Sequence, residues 1–102
     1  MIDPKDGKEK KIQIDLGNAV AQGVYANLSM TNFNPEEMVL DFLYIQPNLP
    51  KGTLRSRVIL SPKHAKRLSL LLDRSVSEYE TKFGPIDDQD QPDASDISFS
   101  VN

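Results

Sequence analysis

Acid–base chemistry in this chain would have to use Asp41, which lies within an apolar segment, and His64, the single histidine. A general base needs an oriented nucleophile or carboxylate beside it, and no motif near His64 supplies one. A carboxylate among apolar residues needs a partner or a shifted pKa. Arg55 or Arg57 can provide that partner from a neighbouring strand. We therefore interpret Asp41 as a member of a structural ion pair and His64 as a packing residue, and expect no enzyme.

Metal and cofactor binding are not indicated by the sequence. The chain has no cysteine, so disulfides, thiolate zinc sites and cysteine nucleophiles are excluded. Asp87, Asp88 and Asp90 resemble half of a calcium loop, but the glycine and the terminal glutamate of such a loop are missing. No glycine-rich phosphate loop follows a predicted strand. We expect no cofactor, no metal site and no catalytic residue.

The charges are distributed unevenly along the chain, although the net charge is only −3. Residues 51–67 include six basic residues and no acidic one, whereas residues 85–102 include five aspartates and no basic residue. Cations near the start of a helix are disfavoured by the macrodipole by about 0.3–1 kcal/mol each when exposed. An anion or an acidic partner surface would offset that cost, and a solvated face that tolerates it is the alternative. The candidate anion- or partner-binding residues are Arg55, Arg57, Lys63, Lys66 and Arg67.

A second candidate site is polar. Tyr25, Asn27, Asp41 and His64 are residue types that line polar pockets, and the predicted strands and helix carry all four. The alternative is that the side chains of Tyr25 and Asn27 satisfy the ends of strands and face solvent.

A helix spanning residues 61–85 must position several of these groups. Ser61 is a good N-cap, Pro62 suits the first helical position, and Gly84 followed by Pro85 ends the helix. Apolar residues recur at three- and four-residue steps and therefore share one face. The members of this apolar stripe are Ala65, Leu68, Leu72, Val76, Tyr79 and Phe83. The pattern predicts that the stripe is buried.

Alternating apolar and polar residues predict strands before the helix. The predicted strands span residues 11–16, 19–32, 38–45 and 54–60. The third is apolar on both faces, which is typical of a strand covered on two sides. Short connections favour an antiparallel meander. The sequence thus predicts an α+β fold, with an antiparallel sheet of three to four strands and one long C-terminal amphipathic helix packed on one face.

The single helix cannot also cover the second face of the central strand, so a homodimer is predicted, with this strand or the helix at the interface. The domain occupies residues 11–86. Residues 1–10 are expected to be a flexible arm, and residues 87–102 a disordered acidic tail.

Short motifs through the middle of the chain resemble those of a known family. The motifs are, in chain order, Tyr25-Ala26-Asn27, Leu40-Asp41-Phe42 followed by Pro47, Arg57-Val58-Ile59-Leu60-Ser61-Pro62, His64-Ala65-Lys66-Arg67-Leu68, and Tyr79-Glu80 with Phe83-Gly84-Pro85-Ile86. Their order and spacing resemble a family of short bacterial and archaeal proteins grouped as a domain of unknown function, number three-four-six-seven in that series. The resemblance covers residues 12–86. It implies a common fold and a bacterial source, and it implies no activity.

The function that these observations favour is binding. We expect a small homo-oligomeric protein-interaction module or accessory protein with an unidentified protein partner. The first alternative is a nucleic-acid-associated protein that uses basic residues 51–67, which the acidic composition opposes. The second is an enzyme that uses Asp41 and His64. No apolar run approaches membrane-spanning length, and the charged start differs from a secretory signal, so we expect a cytoplasmic protein without membrane contact.

Overall fold

The structure is a computed structural model that describes residues 11–88 and 97–100. The predicted arm, residues 1–10, lies outside the described residues, as does most of the predicted acidic tail. Within these described residues, two helices and three strands follow one another. They are α1 (Asn18–Ala21), β1 (Leu28–Phe33), β2 (Met38–Ile45), β3 (Gly52–Leu60) and α2 (Pro62–Phe83).

The three strands form an antiparallel meander with the order β1-β2-β3. Leu28 lies opposite Leu43 across β1 and β2, and Asp41 lies opposite Arg57 across β2 and β3. The register shifts between Phe42 and Leu43. The strand that is apolar on both faces is therefore the central one, and the predicted α+β meander followed by a C-terminal helix is confirmed.

Asn34 organises the turn between β1 and β2. Its side-chain oxygen accepts hydrogen bonds from the backbone N–H groups of Glu36 at 2.8 Å and Glu37 at 3.0 Å. Its own N–H donates to the carbonyl oxygen of Glu37 at 3.1 Å. An asparagine side chain that accepts from backbone N–H groups in this way replaces the strand-to-strand hydrogen bonds, which stop at the turn. Pro35, inside the turn, has no N–H that would need a partner.

Both ends of α2 are formed by the predicted residues. The Ser61 hydroxyl accepts from the N–H of His64 at 3.1 Å, and Pro62 occupies the first turn. At the other end, Gly84 has a φ of 96°, a value that glycine adopts without a Cβ penalty. The N–H of Ile86 donates to the Glu80 carboxylate at 2.9 Å, which fixes the chain as it leaves the helix.

Two of the predicted strands are wrong in part or in full. Residues 11–16 form no strand, and Ile12, Ile14 and Leu16 are 65%, 81% and 67% exposed. The strand predicted over residues 19–32 is confined to Leu28–Phe33, because α1 and an irregular segment precede it. Alternating apolar and polar residues make a segment suitable for a sheet, but the segment becomes a strand only when it pairs with the edge of a sheet.

The prediction that the apolar stripe of α2 packs on the sheet of its own chain is also wrong over most of the helix. Ala65 is buried and Leu68 is half-buried, whereas the stripe residues beyond them are exposed. Only Ser61 separates β3 from α2, so the first turns contact β3 and the rest of the helix extends away from it. The radius of gyration is 17.6 Å, compared with about 13 Å for a compact domain of this length.

The core of the described chain is small. Its buried apolar side chains are Leu28, Leu43 and Ala65, and Asp41 is buried with them. Leu28 and Leu43 are paired across β1 and β2, so the two most buried of the described apolar side chains lie on these strands.

We expect Leu43→Ala to lower the free energy of unfolding by about 2–5 kcal/mol, because it removes buried methyl groups and leaves a cavity. Leu70→Ala is the matched control, since Leu70 is 56% exposed on α2, and we expect it to change stability by less than about 0.5 kcal/mol. Chemical denaturation at one protein concentration measures both. Equal effects of the two substitutions would contradict this location of the core.

Candidate functional site

Asp41 and Arg57 form an ion pair across the centre of the sheet. The Arg57 Nε donates to Asp41 Oδ1 at 2.6 Å, and Nη2 donates to Oδ2 at 3.0 Å. The contact exists because the register places the two residues opposite each other on one face of β2 and β3. The planar guanidinium matches the carboxylate in this bidentate geometry. The predicted cross-strand ion pair is thus present, with Arg57 and not Arg55 as the partner.

The ion pair keeps the Asp41 carboxylate charged. The hydrogen bonds from Arg57, together with its positive charge, lower the pKa of Asp41 below the usual aspartate value, against the opposing effect of burial. The same contacts raise the pKa of Arg57. A general base at neutral pH requires a raised carboxylate pKa, and both oxygens of Asp41 already accept hydrogen bonds. The geometry therefore supports a structural role for Asp41.

Asn27 extends the sheet by one residue beyond β1. Its side-chain amide donates to the carbonyl oxygen of Ile45 at 3.0 Å and accepts from the N–H of Ile45 at 2.8 Å. Its backbone N–H donates to the carbonyl oxygen of Leu43 at 2.9 Å. The ring of Tyr25 meets the ring of Tyr44 edge-on, with centroids 6.0 Å apart. Asn27 thus satisfies the backbone N–H and carbonyl groups at the end of β2. This agrees with the alternative in which its side chain satisfies the end of a strand.

The candidate polar cluster is distributed over three places. Asn27 and Tyr25 lie at the end of β2, and Asp41 is four residues earlier, roughly 13 Å along the strand. His64 lies in the first turn of α2, where its backbone N–H contributes to the N-cap. Within residues 11–88 and 97–100, no hydrogen bond, ion pair or ring contact joins the four side chains to one another.

The basic candidates lie on β3 and on the first turns of α2. Arg57 is occupied by Asp41. The other four, all exposed, are Arg55, Lys63, Lys66 and Arg67. They remain candidate anion- or partner-binding residues.

An open depression runs along the C-terminal half of α2, and all the residues that line it belong to this one helix. No group of three acidic or histidine side chains in residues 11–88 and 97–100 is close enough together to hold a metal ion. None of the described helices is long and apolar enough to cross a membrane.

The most unusual surface is the apolar stripe of α2. Its uncovered members are Leu72, Val76, Tyr79 and Phe83, which are 55%, 44%, 51% and 71% exposed. The rings of Tyr79 and Phe83 pack against each other with centroids 4.9 Å apart. The sequence pattern identified these residues as a face that needs burial, but it could not show that their own sheet leaves them in water. A continuous exposed apolar surface of this kind is typical of a protein–protein contact.

We expect Arg57→Gln to raise the pKa of Asp41, because it removes the charged donor. A carboxylate with a lowered pKa in the folded state contributes stability above the unfolded pKa, about 3.9, and loses it as the pH falls through the folded value. The wild type should therefore resist acid to a lower pH than the variant. Carboxyl NMR titration measures the pKa, and Arg55→Gln is the control that should leave it unchanged. An Asp41 pKa that is the same in Arg57→Gln and in the wild type would contradict the role of the pair.

Comparison with known proteins is consistent with this geometry and adds no activity. No curated protein and no solved structure matches the chain. Residues 1–88 match the model of the family described as "Protein of unknown function (DUF3467)". The match begins earlier than the resemblance at residues 12–86 and ends just after the turn that follows α2. Because it spans the sheet, the helix and most of the 102 residues, the chain belongs to this family of proteins of unknown function.

Proposed function

We propose that this protein is a homodimeric interaction module in which a second copy of the chain covers the apolar stripe of α2. The observation that carries the proposal is the exposure of Leu72, Val76, Tyr79 and Phe83 on one face of a well-capped helix. Amphipathic helices of this length owe most of their stability to the packing of the apolar face. The helix therefore needs a partner surface that its own sheet does not supply.

The size of the core supports the same conclusion. Ordering about 80 residues costs on the order of 100 kcal/mol in conformational entropy, which apolar burial has to offset. The described chain buries only Leu28, Leu43 and Ala65 among its apolar side chains. Obligate homodimers often have no stable folded monomer. A second copy would complete the core of this protein as well as cover its surface.

The available area is sufficient for a specific contact. A large apolar side chain that is about half exposed contributes on the order of 100 Å². The exposed part of the stripe, with neighbouring Leu71 at 53% exposure, then offers roughly 500–600 Å² per chain. A dimer would bury roughly 1,000–1,200 Å² in total, which is at the lower limit of stable interfaces. Contacts made by the exposed apolar residues of β3, such as Ile59 at 59% exposure, would add to it.

Binding is favoured over the two alternatives. An enzyme would need Asp41 as a reactive group, and that carboxylate is held by Arg57. A nucleic-acid-associated protein would need an extended basic surface, and the ion pair removes Arg57 from the basic residues of β3. The exposed basic residues that remain would serve the module by contacting an acidic surface of a protein partner.

We expect the wild type to have twice the chain mass of 11.4 kDa at micromolar concentration, and Val76→Asp to weaken the dimer at least tenfold by placing a charge in the apolar contact. Sedimentation velocity over a range of concentrations measures both. Ser77→Asp is the matched control, because it adds the same charge one residue later on a different face, and it should leave the dimer intact.

A monomeric mass for the wild type at all concentrations would contradict the proposal. A dimer that Val76→Asp and Ser77→Asp weaken equally would assign the contact to another surface.

A further inference from the structure

We infer that the two α2 helices of the dimer pack antiparallel and cross near Arg74, so that the basic start of each helix faces the acidic end of the other. This inference rests on the proposed dimer and adds the orientation of its interface. Three properties of α2 support it: the order of its charges, the direction of its dipole and the sizes of its stripe residues.

The charges of α2 change sign along the helix. Its first half holds only basic charged residues, Lys63, Lys66 and Arg67, all exposed. Its second half contains Asp73, Glu78 and Glu80 in addition to Arg74 and Lys82. In an antiparallel pair the basic half of each helix faces the acid-rich half of the other. In a parallel pair the two basic starts lie side by side, 8–10 Å apart at typical helix spacing, within about one Debye length at physiological salt.

The helix dipole favours the same orientation. Lys63 lies in the first turn of α2, where the positive end of the macrodipole disfavours a cation, and Lys66 and Arg67 follow in the next turn. No acidic residue lies in the first turn to offset this, and the only basic residue in the last turn is Lys82. An antiparallel partner brings the negative end of its dipole towards this helix start and the carboxylate of Glu80 towards Lys66. A parallel partner would bring a second positive end.

The stripe is self-complementary about Arg74. Leu72 lies two residues before Arg74 and Val76 lies two residues after it. Leu68 lies six residues before Arg74 and Tyr79 lies five residues after it. The same rule places the aromatic ring of Phe83 beside Ala65, which is the smallest residue of the stripe and is already buried in its own chain. An antiparallel pair thus places large side chains opposite small ones, which lets the two surfaces interdigitate. A parallel pair would place Phe83 against Phe83 and Tyr79 against Tyr79.

Disulfide cross-linking tests the orientation in the full chain, which has no cysteine of its own. Leu68→Cys and Tyr79→Cys are prepared separately and oxidised, alone and as an equilibrated mixture. An antiparallel pair yields at least tenfold more cross-linked dimer in the mixture than in either variant alone. A parallel pair yields cross-links in each variant alone. Arg67→Cys mixed with Thr81→Cys is the control, because both residues point away from the stripe and should remain unlinked.

Distances between spin labels test the same orientation at exposed sites that do not affect folding. In the antiparallel pair, labels at Lys63→Cys lie on the order of 33 Å apart along the helix axis, since each is eleven residues from the crossing point at about 1.5 Å per residue. Labels at Arg74→Cys have almost no axial separation. A parallel pair gives the same separation at both sites.

The outcomes separate this inference from the proposed dimer. Self-linking of Leu68→Cys and of Tyr79→Cys in a dimeric protein, with equal label distances at Lys63 and Arg74, would leave the dimer standing and overturn the antiparallel orientation. A dimer without cross-links in any mixture would show that the two stripes do not pack on each other about Arg74, which also overturns it. A monomeric mass would overturn both.

Discussion

A three-stranded sheet has two faces and two edges, and a single helix attached at one corner cannot cover all of them. This constraint determines the rest of the structure. The connection between β3 and α2 is the single residue Ser61, so the helix contacts β3 only near its start, where Ala65 is buried. Beyond the second turn, the described part of the chain leaves the apolar face of α2 largely exposed. The lack of a covering surface also leaves Ile12, Ile14 and Leu16 exposed, although their spacing is that of a strand.

The sheet itself is stabilised locally. The Leu28–Leu43 contact and the Asp41–Arg57 pair lie close together on β2, one apolar and one ionic. A buried charge that loses its partner is strongly destabilising, whereas an intact pair contributes little net stability. The pair therefore favours the register that places Arg57 opposite Asp41, because that register satisfies the carboxylate. A one-residue slip would turn every side chain of the strand to the other face.

The features that could be predicted from sequence are those decided by neighbours along the chain. Ser61, Pro62 and Gly84 determine where α2 begins and ends through local hydrogen bonds and backbone angles, and both ends are where the sequence predicts them. The sequence limits the ion-pair partner of Asp41 to Arg55 or Arg57, because the order of the strands and the alternation of side chains determine which residues can lie opposite it.

What could not be predicted depends on the relative placement of whole elements. The stripe of α2 requires burial, but helical periodicity carries no information about which surface provides it. The alternation in residues 11–16 likewise indicates a strand without indicating an edge. The candidate polar cluster is distributed over three places for a related reason. The four residue types, Tyr25, Asn27, Asp41 and His64, are suitable for a polar site. The side chain of Asn27, however, bonds the end of β2, and that of Asp41 pairs with Arg57.

The basic residues of α2 divide into two sets once the stripe is assigned to a second copy. Lys66 lies at the flank of the stripe, where the partner helix would lie close to it. Lys63 and Arg67 are four residues apart and therefore share a face, and that face is nearly opposite Leu72. They would stay exposed in a dimer built on the stripe, together with Arg55 on β3. The charges along the helix can thus do two things at once: they can select the orientation of the two copies and leave, on the outer surface of each, a pair of cations accessible to an acidic protein partner.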